Sequence, residues 1–519
     1  MSSADTSAEA GAPEADEAKV DEAKVDEAKV DEAKVDDPKA VRRGYLPCIA
    51  AALCSVAIPG VGHLVVRARF RRAVIFATVL NVIATIAAIA IFAPVDGRSD
   101  LADIIASRFV FVSIAVVLLV LAATRLWSAI DSAWIARPAV TRSSGVKVAA
   151  LLTTAVVIVG GVGPLVVAAD YVIETDRAVE QVFGSEDAET AVPSELTTVP
   201  ATDDTSNGGD DTTTTVGVTT TTIAPFAETE RVNVLLLGGD AGPGRPGLRT
   251  DSMIVVSIDP VTGDTAMISI PRNLWGLPFP PGTILHEKYP KGFKGLANAL
   301  YPTVAAHPED FGGGDDVASQ AIKQGIAQFL GIPINYYVLV DMFGFIDVVD
   351  ALGGIDMYLP ERIHTARSPT RDMPQVPKYF EAGQHHFNGI ETLAYARTRY
   401  SDSDYGRMGR QRCVLGAIAS AATPTALATG LTDLVSAFGD AVRTDIPRSR
   451  LGEMAQLVDR YVEAGGFEEV HTLHLAPPTI PSSQWDPVEV RALVSDVLAG
   501  DEPEGTKSTT DQCGKLSDV

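Results

Sequence analysis

The stretch LLLGGDAGPGRPGLRTDSMIVVSID, residues 235–259, sets Asp240 and Asp251 in and after a Gly/Pro-rich loop between two apolar runs. Arg249 lies in the same loop, and Arg272 closes a third apolar run in SIPRN. Downstream, NGIETLAYARTRYSDSDYGRMGRQRCVL, residues 388–415, brings Arg397, Arg399, Arg407, Arg410 and Arg412 close together. Carboxylates are hard oxygen ligands suited to Mg2+, and arginines are bidentate donors to phosphate oxygens. Two acids with several arginines therefore fit a cation bound to a polyanion. Each motif alone has a plainer meaning: Asp240 is equally an aspartate in a turn, and the arginines are equally a solvated helix face neutralised by Asp402 and Asp404. The loop is not a nucleotide P-loop, because GGDAGPGRPG lacks the Gly-Lys-Ser/Thr ending and puts an acid where phosphate would sit.

These side chains meet only if secondary structure carries them to one place. Apolar runs at 232–237, 253–258, 265–270, 336–340 and 354–359 read as buried strands. Helical patterns occupy about 316–330, 343–352, 390–399, 407–422, 431–441 and 448–463. Strands interleaved with helices predict an α/β/α sandwich with a mixed central sheet covered on both faces. Asp240, Asp251 and Arg272 then stand at strand ends, where such sheets hold ligands. Arg397 and Arg399, spaced i, i+2, share a face only if the helix stops between or near them, and the turn-rich SDSDYG supports such a stop.

Four apolar stretches precede this region. Those at 73–94, 109–130 and 147–169 are long enough to span a membrane. The stretch at 46–66 is broken by Pro59, Gly60, Gly62 and His63 and reads as a re-entrant or interfacial segment. Arg42, Arg43, Arg67, Arg69, Arg71 and Arg72 flank it, and Arg125, Arg137, Arg142 and Lys147 lie between the last two spans. Positive residues favour the cytoplasmic side, so three crossings put residues near 100 and everything after 169 outside. The expected location is the cell membrane, multi-pass, with an extracytoplasmic carboxy-terminal domain.

The formal net charge of −24 is carried almost wholly by two segments. Residues 1–37 hold 13 acids against 4 lysines, and residues 170–230 hold 14 acids against Arg177. The acidity therefore belongs to a tail and a linker, not to a site for basic ligands. Residues 1–40 include four DEAKV copies and read as a disordered tail. Residues 41–169 form the membrane region and 170–230 an acidic, Thr-rich spacer. The globular domain covers 231–500, and 501–519 is a tail. A near-neutral domain outside the cytoplasm excludes a nucleic-acid partner. Of the four cysteines, Cys48 and Cys54 sit in an apolar segment as small hydrophobes. Cys413 and Cys513, in the outer part, are candidates for a disulfide, worth at most roughly 4–5 kcal/mol in the loop-entropy model.

Four segments in order, NVLLLGGDAG with RTDSMIVVSID, AMISIPRN, GIPINYYVLVDMFGFIDVVDALGGIDM and HHFNGIETLAYARTRYSDSDYGRMGRQRCVL, resemble the motif set of the LytR-CpsA-Psr family of bacterial cell-wall glycopolymer ligases. The resemblance covers 231–422 and extends to about 500. It implies a membrane-anchored Mg2+-dependent phosphotransferase. Such an enzyme moves a glycopolymer, of the teichoic acid or arabinogalactan kind, from a polyprenyl diphosphate carrier to peptidoglycan through a phosphodiester and releases polyprenyl phosphate. It implies that Asp240 and Asp251 bind the metal and that Arg272, Arg397 and Arg399 clamp the diphosphate. Arg249, Arg407, Arg410 and Gln411 would complete the substrate wall, with Ile326, Phe329, Phe343 and Phe345 near an apolar groove. Three departures stand out: Asn273 replaces an acid after SIPR; Ala241 and Gly242 stand where an arginine is frequent, with Arg245 a candidate substitute; and the extra spans and IPGVGH segment go beyond the family's common single anchor. Two alternatives use the same site: a non-catalytic wall regulator that only binds polyprenyl diphosphate, and a lipid diphosphate hydrolase.

Overall fold

The computed structural model describes residues 98–135, 159–183 and most of 230–501, with gaps at 242–246, 366–372, 401–403 and through much of 424–440; single positions, Cys513 among them, are described elsewhere. The chain divides into two units, Met1–Phe92 with Val112–Val172, and Ala93–Phe111 with Ile173–Val519.

Helix α1 spans Arg98–Ala106, α2 spans Arg108–Ile135 and α3 spans Gly163–Val182. Among the described residues, Arg108–Ser128 is the stretch long and apolar enough to cross a membrane, with a mean hydropathy of 2.5. Its Phe109, Val112, Val116 and Leu119 are exposed apolar side chains. It overlaps the span expected at 109–130. The segment at 46–66, most of the stretch at 73–94 and part of that at 147–169 lie outside the described residues, as do the amino-terminal tail and most of the 170–230 spacer. Helix α3 runs across the boundary expected near 169 between span and spacer.

In the second unit, β1 (Val232–Gly239), β2 (Thr250–Ile258), β3 (Thr265–Ile270) and β4 (Tyr336–Asp341) build the centre of a six-stranded sheet. Between β4 and the next sheet strand come β5 (Ile355–Leu359), β6 (Ile363–His364), β7 (Tyr379–Phe380) and β8 (Gly383–Phe387). Strands β9 (Val442–Thr444) and β10 (His471–His474) complete the order β10-β3-β2-β1-β4-β9. The sheet is mixed: β1 runs antiparallel to β2 and parallel to β4, and β10 runs parallel to β3. The 354–359 run, read among the sheet strands, instead pairs with β8 in a separate ribbon. Strands β9 and β10 are too short to leave a period in the sequence.

Seven further α-helices are needed to describe the packing: α4 (Ile284–Lys288), α5 (Leu300–Ala305), α6 (Val317–Leu330), α7 (Met342–Ala351), α8 (Gly389–Arg397), α9 (Asp404–Ala421) and α10 (Leu451–Glu463). Helix α11 (Pro487–Leu498) follows. On one sheet face Leu235, Leu237 and Ile268 pack with Ile322, Ile326 and Phe329 of α6 and Val490 and Val494 of α11. On the other, Ile254 and Met267 pack with Val349, Ala394, Val414 and Ala417 of α7, α8 and α9. Cover on both faces explains why β3 is buried at every position and why the strands read as unbroken apolar runs.

The short helix α1 belongs to this unit and packs on α10. Arg98 bonds Asp459 at 2.8 Å and donates to the Ala422 carbonyl, while Arg448 donates to the Ile105 carbonyl and pairs with Asp176 at 2.7 Å. Gly452 permits the approach, since a Cβ there would lie 1.6 Å from an Asp103 oxygen.

Candidate active site

Strand pairing aims the first two acids. The β1–β2 register shifts between Gly238, opposite Ser252, and Gly239, opposite Thr250, so Asp251 is the extra residue of a β-bulge. Bulges re-aim side chains beside functional sites. The Arg249 carbonyl accepts from the backbone N–H of both Asp240 (2.8 Å) and Asp251 (3.0 Å), fixing the two acids on one short piece of backbone.

Each acid has an arginine. Arg397 donates to Asp240 Oδ1 at 2.9 Å and Arg272 to Asp251 Oδ2 at 2.9 Å. Asn298, itself buried, donates from Nδ2 to the other Asp251 oxygen at 2.9 Å. The sequence reading missed Asn298; its signal was a lone polar residue inside the apolar LANALY. Arg407 is buried and donates to the Asp251 carbonyl, and Ser252 donates to Gln411 Oε1 at 3.0 Å.

Helix α8 ends as the arginine spacing required. Asn388 and Glu391 form a capping box at its start, and Thr398 at its end has extended backbone dihedrals. Gly389 lets α8 approach α7, because a Cβ there would meet the Ile346 carbonyl at 2.3 Å. With the helix ended at Arg397, both Arg397 and Arg399 reach one cavity.

That cavity, of about 210 Å³, has two kinds of wall. Asp240, Asp251, Arg397, Arg399, Arg407 and Gln411 line its polar part. Leu236, Ile254, Val338, Phe345, Val414 and Leu415 line the rest. Asp341 also faces it but is committed to capping α7, accepting from the N–H groups of Phe343 and Gly344.

Several expected residues stand elsewhere. The Arg249 side chain is exposed and outside the cavity lining, so this residue acts through its carbonyl. Arg410 is buried away from the lining, donating to the carbonyls of Tyr395 and Thr398; it fastens the end of α8 to α9. Ile326 and Phe329 are core on the opposite sheet face, Phe343 is outside the lining, and Phe345 alone of that group reaches the cavity. Arg245 lies outside the described residues, and Asn273 is exposed. Cys413 and Cys513 are joined in a disulfide with Cα atoms 5.4 Å apart, across 100 residues of chain.

A family model for LytR-CpsA-Psr proteins matches residues 197–479, more than half of the chain. The chain belongs to the LytR-CpsA-Psr family. Among the relatives of this LytR-CpsA-Psr protein is the polyisoprenyl-teichoic acid–peptidoglycan teichoic acid transferase TagU of Bacillus cereus, 31% identical over 44% of the chain and 64% of the relative. TagV of Bacillus subtilis, which bears the same transferase name, is 35% identical over 36% of the chain and 42% of the relative. The match therefore spans less than two thirds of either relative's length. The crystal structure of Bacillus subtilis TagV is 29% identical, covering 53% of this chain and 99% of that one with a TM-score of 0.38.

Proposed function

We propose that this LytR-CpsA-Psr protein is a phosphotransferase that joins a glycopolymer to peptidoglycan through a phosphodiester, taking it from a polyprenyl diphosphate carrier. The observation that carries the reading is the two-part cavity, with acids and arginines at one end and apolar side chains behind them. A lipid diphosphate has the same two parts. The transferase names of the Bacillus relatives support a glycopolymer donor and a peptidoglycan acceptor.

Asp240 and Asp251 suit Mg2+, which binds through one or two carboxylates and fills its remaining positions with water and substrate phosphate oxygens. Among the described residues no group of three or more His, Cys, Asp or Glu side chains gathers to hold a metal, so the fit is to a cation that arrives with its anion. Bound there, Mg2+ supplies neutralisation of the diphosphate's charge. The protein's own share is positioning. Arg397 and Arg272, paired with the acids, exchange carboxylate for phosphate oxygens, with Arg399 and Arg407 beside them. An acceptor sugar hydroxyl then attacks the glycan-side phosphorus. The phosphoanhydride bond breaks, polyprenyl phosphate leaves, and the hydroxyl proton passes to solvent. Phosphoryl transfer of this kind needs charge stabilisation and alignment more than a covalent intermediate. The apolar wall keeps water from competing with the sugar.

The same reading puts the catalytic domain outside the cytoplasm on a multi-pass membrane anchor. Three observations support it: the apolar helix α2, the Cys413–Cys513 bond, and the packing of α1, from the loop read as external, on α10 of the domain. The test is incubation of the full-length protein in detergent with Mg2+, a lipid diphosphate-linked glycan and peptidoglycan fragments. A joined product that disappears in Asp240→Ala and Arg397→Ala is expected. Lipid phosphate without joined product would instead make the protein a hydrolase, and neither product would make it a binding module.

A further inference from the structure

We propose that the outer face of the β6–β7 ribbon, together with Tyr400, is a stacking subsite for the acceptor glycan, an amino-sugar strand bearing carboxylates. The proposal rests on the phosphotransferase reading above for the direction of approach. The ribbon pairs Ile363 with Phe380 and His364 with Tyr379. Successive strand residues point to opposite faces, and here Ile363 and Phe380 are buried while the His364 and Tyr379 rings stack outside, 4.8 Å between centroids. Tyr400 leans on the edge of this pair, its ring 5.0 Å from His364 and tilted 51° to it, yet is 66% exposed. Packing of a short ribbon accounts for the cross-strand pair. It does not account for Tyr400, which comes from another segment and leaves most of its ring open.

The platform is joined to the clamp. The Thr398 hydroxyl donates to the His364 carbonyl at 2.6 Å, Arg399 lines the cavity, and Tyr400, the next residue, stands outside the lining. Residues 398–400 thus run from the ribbon through the cavity wall to the open ring. In an in-line displacement the attacking and leaving oxygens lie on opposite sides of phosphorus. The apolar wall takes the lipid and with it the leaving phosphate, so the acceptor enters from the arginine side, where the platform stands. A pyranose ring has an apolar C–H face that fits an aromatic surface, as amphipathic rings fit one another. The Arg362 guanidinium covers the Tyr379 ring at 3.7 Å from its centroid and is paired with Glu381 at 3.2 Å, which leaves Lys378, with Nζ 5.1 Å from the same centroid, as the cation suited to a carboxylate of the strand.

The experiment measures binding of soluble, lipid-free peptidoglycan glycan oligomers to the full-length protein in detergent, by calorimetry, without donor. Tyr400→Ala is expected to weaken binding about tenfold, the scale of one lost aromatic contact, and Tyr400→Phe to restore it. In turnover, the acceptor KM rises in Tyr400→Ala while the KM for the lipid-linked donor does not. No binding by the wild type, equal binding by Tyr400→Ala, or an equal rise in both KM values would overturn the proposal. If Tyr400→Ala loses binding while the wild type forms no joined product, the subsite stands and the phosphotransferase reading falls.

Discussion

Arg397 and Asp240 are 157 residues apart in the chain and meet at 2.9 Å across the cavity. Arg272 and Asp251 repeat the arrangement at 2.9 Å. Both pairs are partly open to solvent, with side chains 20–28% exposed. Each acid thus has a cation beside it, and of the two arginines Arg397 lines the cavity while Arg272 stands outside its lining.

Arg397→Ala should cost about 10²–10³-fold in turnover, the range for removing one preorganised donor to developing charge. Arg397→Lys should recover part of it, since a lysine keeps the charge and loses the two-pronged geometry. Product formation, with circular dichroism to confirm the fold, measures both.

Asn298→Ala removes the donor to Asp251 Oδ1 and leaves that oxygen with one fewer partner in a half-buried position. The expected loss of stability is about 1 kcal/mol, the net value of one such bond. Turnover should fall and the Mg2+ concentration for half activity should rise, because Asp251 is no longer held in one orientation. Denaturant unfolding and a Mg2+ titration of activity separate the two effects. An unchanged Mg2+ requirement would show that Asn298 supports the fold alone.

Replacing Cys413 and Cys513 by serine should lower stability by about 2–5 kcal/mol, because the bond closes 100 residues of chain. Dithiothreitol should lower the melting temperature of the wild type and leave that of the double variant unchanged.

His474 sets an acid limit. Burial, and after it the neighbouring Arg412, lowers its pKa from 6.5 to about 3. The unfolded chain therefore takes up a proton below pH 6.5 that the folded chain refuses, and stability is lost as pH falls from 6.5 toward 3. His474→Gln, which cannot titrate, should flatten that part of the curve. Melting temperatures of both proteins from pH 7 to 4 test this, and parallel curves would refute it.

The sequence by itself determined the central strands, most of the helices and the residue types of the site, because long apolar runs and helical periods record burial locally. It also required a helix end near Arg397, which the structure supplies at Thr398. Tertiary structure alone decided the rest. Asp251 is aimed by a bulge whose register exists only once β1 and β2 pair. Arg249 and Arg410 have the composition of ligand-binding residues, yet one supplies a carbonyl and the other ties two helices together, since a side chain's direction depends on which neighbours it meets. Asn298 reaches Asp251 across 47 residues, and strands of three or four residues such as β9 and β10 form because a sheet edge is waiting for them. Such contacts carry no local period, and their energy comes from partners far away in the chain.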